Sequence, residues 1–195
     1  MGAYDFPLFQ TLYEALGPKG SMKSLVNPYC FGMALSKPRA ITFAITHDIP
    51  NNKVFENLVM SEQQESLAYT YLLGRDGGVP LIYTDLDTSR FKNRTGKPRW
   101  KEIWLEPSMK ARIEFYHHMH GEPMTMRQAT DDLLVFGRGN KGIVALNKSN
   151  REKSIKVSAQ GVWKELLSGT IYTALSGNIE IKLRPMCGAM LVRHR

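Results

Sequence analysis

The spacing of apolar and polar positions changes character along the chain. Over residues 7–16, Leu8, Leu12, Ala15 and Leu16 recur at helical spacing, and Gly17-Pro18 ends the run. Residues 20–37 read as mixed loop and short helix, with breaks at Pro28 and Pro38. From Arg39 to Thr46 the pattern is a continuous β-rich run that stops abruptly at His47-Asp48-Ile49-Pro50. It reads as a buried parallel strand. A helix is expected over about residues 53–74, capped by Asn52 and closed at Gly74, with Leu67, Tyr71 and Leu72 on its buried side. Gly77-Gly78-Val79-Pro80 then turns into a second short strand, Leu81 to Thr84, ended by Asp85 and Asp87. Asp85 to Trp104 is a long polar loop, and loops of that length in a compact domain usually carry function or move. Pro107 suits the first turn of a helix running to about His120, which Gly121-Glu122-Pro123 breaks.

Beyond residue 122 the period shortens to two. Asp132 to Phe136 faces Lys141 to Leu146 across Gly137-Arg138-Gly139-Asn140, a hairpin signal. Residues 154–158 and 178–183 alternate polar and apolar, and residues 162–167, 171–174 and 190–194 supply further short strands. Strands at this spacing, with Gly and Asn turns between them, argue an antiparallel sandwich. The expected organisation is therefore an α/β segment over 1–122 and an all-β domain over 123–195.

Composition narrows the class. The 195 residues are 43% hydrophobic, enough for a real core, and hold no 18-residue apolar stretch, so no membrane association is expected. The N-terminus shows no basic segment followed by an apolar one, so no export signal is visible. The net charge of +8 admits nucleic acid, and Arg90 to Lys101 is dense in Lys and Arg with Phe91 and Trp100 beside them. The charges are otherwise scattered and no nucleic-acid motif is present, so that stretch reads as a solvated basic loop and no nucleic-acid partner is expected. Cys30 and Cys187 show no CxxC or Cys/His ligand spacing, and whether they pair is open.

Candidate chemistry centres on His47 and Asp48. Asp, Pro and Asn after a strand also simply make a turn. The C-terminal end of a barrel strand is, equally, where catalytic groups sit. The run Phe43-Ala44-Ile45-Thr46-His47-Asp48 resembles a signature of the α-amylase family, glycoside hydrolase family 13. Gly78-Val79-Pro80-Leu81-Ile82-Tyr83 looks like that family's Gly-x-Pro-x-x-Tyr segment on the last barrel strand. Tyr4-Asp5-Phe6-Pro7-Leu8 is similar to its link from the sixth strand into the sixth helix, and Leu67 to Leu73 resembles the helix joining the seventh and eighth strands.

The resemblance implies α/β architecture: about the last three strand–helix units of a (β/α)8 barrel, followed by an antiparallel β-sandwich. It implies a retaining hydrolase of α-1,4-glucans such as starch. Asp48 would be the third carboxylate, stabilising the positively charged transition state, and His47 would donate to a sugar hydroxyl. Thr46 stands where many members have Asn, and Thr84 where Gly commonly follows the Tyr. Tyr83, Asp85, Asp87 and Trp100 are candidates for sugar contacts on the same rim. For Trp100, packing beneath the loop is the competing reading, and for the aspartates turn formation. Segments carrying the family's nucleophile and general acid have no match here, so a non-catalytic α-glucan-binding role is the alternative. Complete members often bind calcium, mostly through upstream segments. Nothing here has EF-hand spacing, and no metal is assigned. Parent enzymes are commonly secreted. Open edges on a partial barrel lead to an expected homo-oligomer.

Overall fold

A computed structural model describes residues 2–194. Its first half is built on three short parallel strands, β1 (Ala3–Tyr4), β2 (Ala40–Phe43) and β3 (Val79–Leu81), in the order β1-β2-β3. Ala3 lies opposite Ala40, and Ile41 opposite Val79. Helix α1 (Phe6–Leu16) follows β1 directly. Asp5 caps it, its Oδ1 accepting from Leu8 N–H at 3.0 Å. The connection from β2 to β3 contains a single turn, α2 (Asp48–Asn51), and a 13-residue helix, α3 (Glu62–Gly74).

The long helix starts later than the pattern suggests. Residues 53–61 are turns with one short 3-10 segment, and Ser61, not Asn52, is the cap. Ser61 Oγ accepts from Gln64 N–H while Gln64 Oε1 accepts from Ser61 N–H, a reciprocal pair that fixes the start. The second strand is also displaced, closing at Leu81 so that Tyr83 and Thr84 lie beyond it. Helix α4 (Pro107–His118) begins at the expected proline.

Eight strands follow: β4 (Met124–Ala129), β5 (Leu133–Arg138), β6 (Gly142–Asn147), β7 (Lys153–Ser158), β8 (Val162–Glu165), β9 (Ile171–Thr173), β10 (Asn178–Leu183) and β11 (Cys187–His194). Six form one antiparallel sheet in the order β4-β5-β6-β11-β8-β9, and β7 pairs with β10. The hairpin between β5 and β6 is real but tighter than its glycines suggest. Gly137 and Arg138 remain paired, with Ile143 and Gly142, and only residues 139–141 turn.

The central strands of the six-stranded sheet, β5, β6 and β11, are covered on both faces. Leu134, Phe136, Val144, Leu146 and Met190 join the apolar cluster of α1, α3 and α4. Their neighbours Leu133, Val135, Ile143, Ala145, Ala189 and Leu191 join a second cluster with Ile155, Val157, Ile179 and Ile181 of the β7–β10 pair. Alternate residues of one strand thus serve two cores, which is why β5 and β6 are buried throughout. Glycines let the helices approach this sheet. A Cβ at Gly188 would lie 2.7 Å from a Thr70 methyl on α3, and one at Gly142 would collide with Met119 Sδ at the end of α4. Among the described residues no helix is long and apolar enough to cross a membrane.

Candidate functional site

Strand β2 ends at Phe43, and its continuation Ala44-Ile45-Thr46 stays buried. The chain then turns into α2, anchored by the buried Ile49 and Pro50. This anchoring leaves His47 and Asp48 on the outside, their side chains 68% and 48% exposed. His47 Nε2 lies 3.2 Å from Asp48 Oδ1, and Asn51 Nδ2 donates to His47 O at 2.9 Å, closing the turn. The hydroxyl of Thr46 is buried without a hydrogen-bond partner, so it faces the protein rather than the rim.

The parallel pairing of β2 and β3 brings Tyr83 beside this turn. Its half-buried hydroxyl has Asn51, Thr88 and Asp85 as neighbours, and burial, followed by the Asp85 charge, pushes it above the usual phenol range. The end of β3 and the α2 turn carrying Asp48 thus meet at Tyr83 and Asn51. Its ring sits 6.0 Å from that of Trp100.

Two of the expected sugar contacts belong to the loop's own architecture instead. Asp85 is 1% exposed. Its carboxylate accepts from Thr88 N–H at 2.9 Å, Thr88 Oγ1 at 2.7 Å, Ser89 N–H at 3.2 Å and the Ser89 hydroxyl. Burial works against its charge, but the Ser89 and Thr88 hydrogen bonds outweigh it and hold the carboxyl below its usual range. It is a turn former with no lone pair left for a ligand. Trp100 is fully buried, with its indole N–H donating to Glu65 Oε1 at 2.9 Å, and cannot stack on a sugar from solvent. Asp87 is exposed, holds a left-handed backbone (φ 70°), and pairs with Lys92 at 2.8 Å.

A second charged group has no local signal in the sequence. Glu65 of α3 is buried and accepts from both Trp100 and Arg99, the latter at 2.7 Å, while Arg99 also donates to Met60 O. Burial is the largest influence on Glu65 and raises its pKa despite the Arg99 charge and the two donors. This carboxylate pins the long loop to α3. Among the described residues no three His, Cys, Asp or Glu side chains converge to hold a metal ion. Both cysteines are free thiols.

A scan for family profiles finds no match. An α-amylase of Aeromonas hydrophila is 45% identical over 152 residues, covering 78% of this chain and 32% of that protein. Among solved structures, wild-type α-amylase I of Eisenia fetida superposes with a TM-score of 0.76 at 17% identity, over 100% of this chain and 49% of that one. An α-amylase of Malbranchea cinnamomea gives 0.71 at 20% identity, over 96% and 45%. The structural likenesses show the fold. The parallel strands with their His-Asp turn, joined to an antiparallel sheet, define a region of the amylase fold. With the sequence match, the chain belongs to the α-amylase family, glycoside hydrolase family 13, and corresponds to its C-terminal region. It spans about a third of the length of the curated relative it matches and about half of the solved structures.

Proposed function

We propose that this chain forms the seventh- and eighth-strand rim of a retaining hydrolase of α-1,4-glucans, with Asp48 stabilising the oxocarbenium-like transition state and His47 donating to a sugar hydroxyl. In this reading β1, β2 and β3 are the last three strands of a (β/α)8 barrel, residues 1–122 are its catalytic segment, and residues 123–195 are a β-sandwich domain. The observation that carries it is the juxtaposition at one end of two parallel strands: Asp48 and His47 after β2, and Tyr83 after β3, with Asn51 between them.

The chemistry follows from position. A fixed carboxylate beside a developing positive charge lowers the barrier, and it does so more strongly once substrate excludes water. Asp48 is half-exposed here, so bound glucan supplies that exclusion. His47 Nε2 lies 3.2 Å from Asp48 Oδ1, so an arriving sugar meets both groups together. The nucleophile and general acid belong, in the family, to earlier barrel strands, and a complete reaction needs those strands against the open side of β1. Unpaired edges on β1 and β3 also favour self-association of the chain.

The test is release of reducing ends from soluble starch, comparing the protein with Asp48→Asn. With the earlier barrel strands supplied, a loss of about 10²–10³-fold in the variant is expected for a lost transition-state contact. Equal turnover in both would remove Asp48 from the mechanism. Starch binding without reducing-end release in either would assign glucan binding alone to this chain.

A further inference from the structure

At the opposite end of β2 and β3 from Asp48 lies a cavity of about 220 Å³, with Tyr29, Lys37, Tyr71, Arg75 and Asp76 in its lining beside two methionines of β4 and the segment 26–28. Arg75 is 3% exposed, yet among the described residues no carboxylate lies within ion-pair distance of it. Its guanidinium carbon sits 5.2 Å from the Tyr29 ring centroid and 5.4 Å from that of Tyr71, so aromatic rings hold it. Nη2 donates to the Tyr29 hydroxyl, and Nη1 is buried with no acceptor. A buried donor left unmet is costly, so a group with a free acceptor is favoured here.

The other polar groups lean the same way. The Tyr29 oxygen is used as an acceptor by Arg75, and its own proton meets no acceptor among the described residues. Burial keeps this phenol protonated by raising its pKa, with the Arg75 charge opposing. Lys37 brings an ammonium 5.6 Å from the Tyr29 centroid. Its stem is held by the glycine turn before β3. Gly78 N–H donates to Lys37 O at 3.1 Å, and a Cβ at Gly77 would fall 2.5 Å from Lys37 Cγ. The one carboxylate in the lining, Asp76, is already used by Lys37 at 2.9 Å and by Met124 N–H at 3.2 Å. Two cations and a phenol therefore present donors to one space, against a single engaged carboxylate.

We propose that this cavity binds a small oxyanion, the carboxylate or phosphate group of a small metabolite, with Arg75 Nη1, the Tyr29 hydroxyl and Lys37 Nζ as its donors. The site is independent of the Asp48 rim. Its ligand is recognised by charge and acceptor geometry rather than by sugar hydroxyls.

The experiment is calorimetric titration of inorganic phosphate, and separately acetate, into the 195-residue chain, with chloride holding ionic strength constant. Saturable one-site binding is expected for at least one of the two, and the tighter of them identifies which oxyanion the cavity prefers. Tyr29→Phe, which removes one oxygen and keeps the ring, and Lys37→Met, at an exposed position, should each weaken binding about tenfold, the cost of one charge-assisted contact. Arg75→Met should abolish it. Lys110→Met, an exposed charge on α4, should leave it unchanged and so excludes a general effect of the basic surface. Absence of saturable binding of either anion would overturn the proposal, as would binding that Tyr29→Phe and Lys37→Met leave intact, or a cavity that takes neutral maltotriose in preference to both anions.

Discussion

Replacing Arg138 should loosen the joint between the helices and the antiparallel sheet. Arg138 closes β5 and is buried. Its guanidinium donates to Gly74 O and Arg75 O at 2.6 Å, to Met119 O at 2.8 Å, and through Nε to Glu122 O at 3.0 Å. Gly74 and Arg75 end α3, and Met119 ends α4. One cation therefore satisfies the unpaired carbonyls of two helix C-termini, where a positive charge is also favoured by the helix dipoles. Arg138→Met keeps the stem and removes every donor. A charge-assisted hydrogen bond contributes about 1.5–3 kcal/mol. The four do not add, because the carbonyls nearest solvent recover water and methionine restores some packing. Breaking a buried charged network costs about 3–5 kcal/mol, and about 4 kcal/mol is expected here. For a chain of this length that lowers Tm by about 8–16 °C. Urea unfolding followed by far-UV circular dichroism measures it. Arg138→Lys, which keeps the charge without the fork, should recover part of the loss. A loss below about 1 kcal/mol for Arg138→Met would refute the claim that this side chain joins the two parts.

Glu65 makes a pH prediction with a definite sign. Its folded pKa is raised, so the folded state holds its proton to higher pH than the unfolded chain does. The stability it contributes is present below the ordinary carboxylate range and lost as pH rises through the raised value. Stability of the protein relative to Glu65→Gln should fall over that interval in parallel denaturant titrations, and a difference that is flat or rising would reverse the assignment. Self-association should appear as a dimer or larger species in sedimentation velocity at micromolar concentration, whereas a single sharp monomer boundary would show that the β1 and β3 edges are protected.

Elements set by local chemistry are legible in the sequence itself. The proline at the start of α4, the alternation in β7 and β10, and the β5–β6 hairpin each follow from a few adjacent residues. The start of α3 is also written locally, in Ser61-x-x-Gln64, but the Asn52 cap signal competes with it and draws residues 53–61 into the expected helix. Strand β4 gives no clear pattern because it is an edge strand with a bulge near Arg127 and carries Arg and Gln on its open face. At the candidate site, the His-Asp turn is legible as the end of an apolar run. The burial of Trp100 is not, because its partner Glu65 lies 35 residues away in sequence. Asp85 declares its turn-forming role through Thr88 and Ser89, close neighbours in the chain. Arg138 looks like part of a turn, and only the packing of both helix ends onto β5 reveals its use.

The most direct test of the central claim is a titration of the 15N/13C-labelled chain with a maltooligosaccharide, following the ring signals of His47 and Tyr83 by NMR. If the rim after β2 and β3 is the glucan site, both rings shift saturably with a common Kd, and Asp48→Asn weakens that Kd. Shifts confined to residues distant from that rim, or none at all, would contradict the account and leave the His-Asp turn as a strand terminus alone.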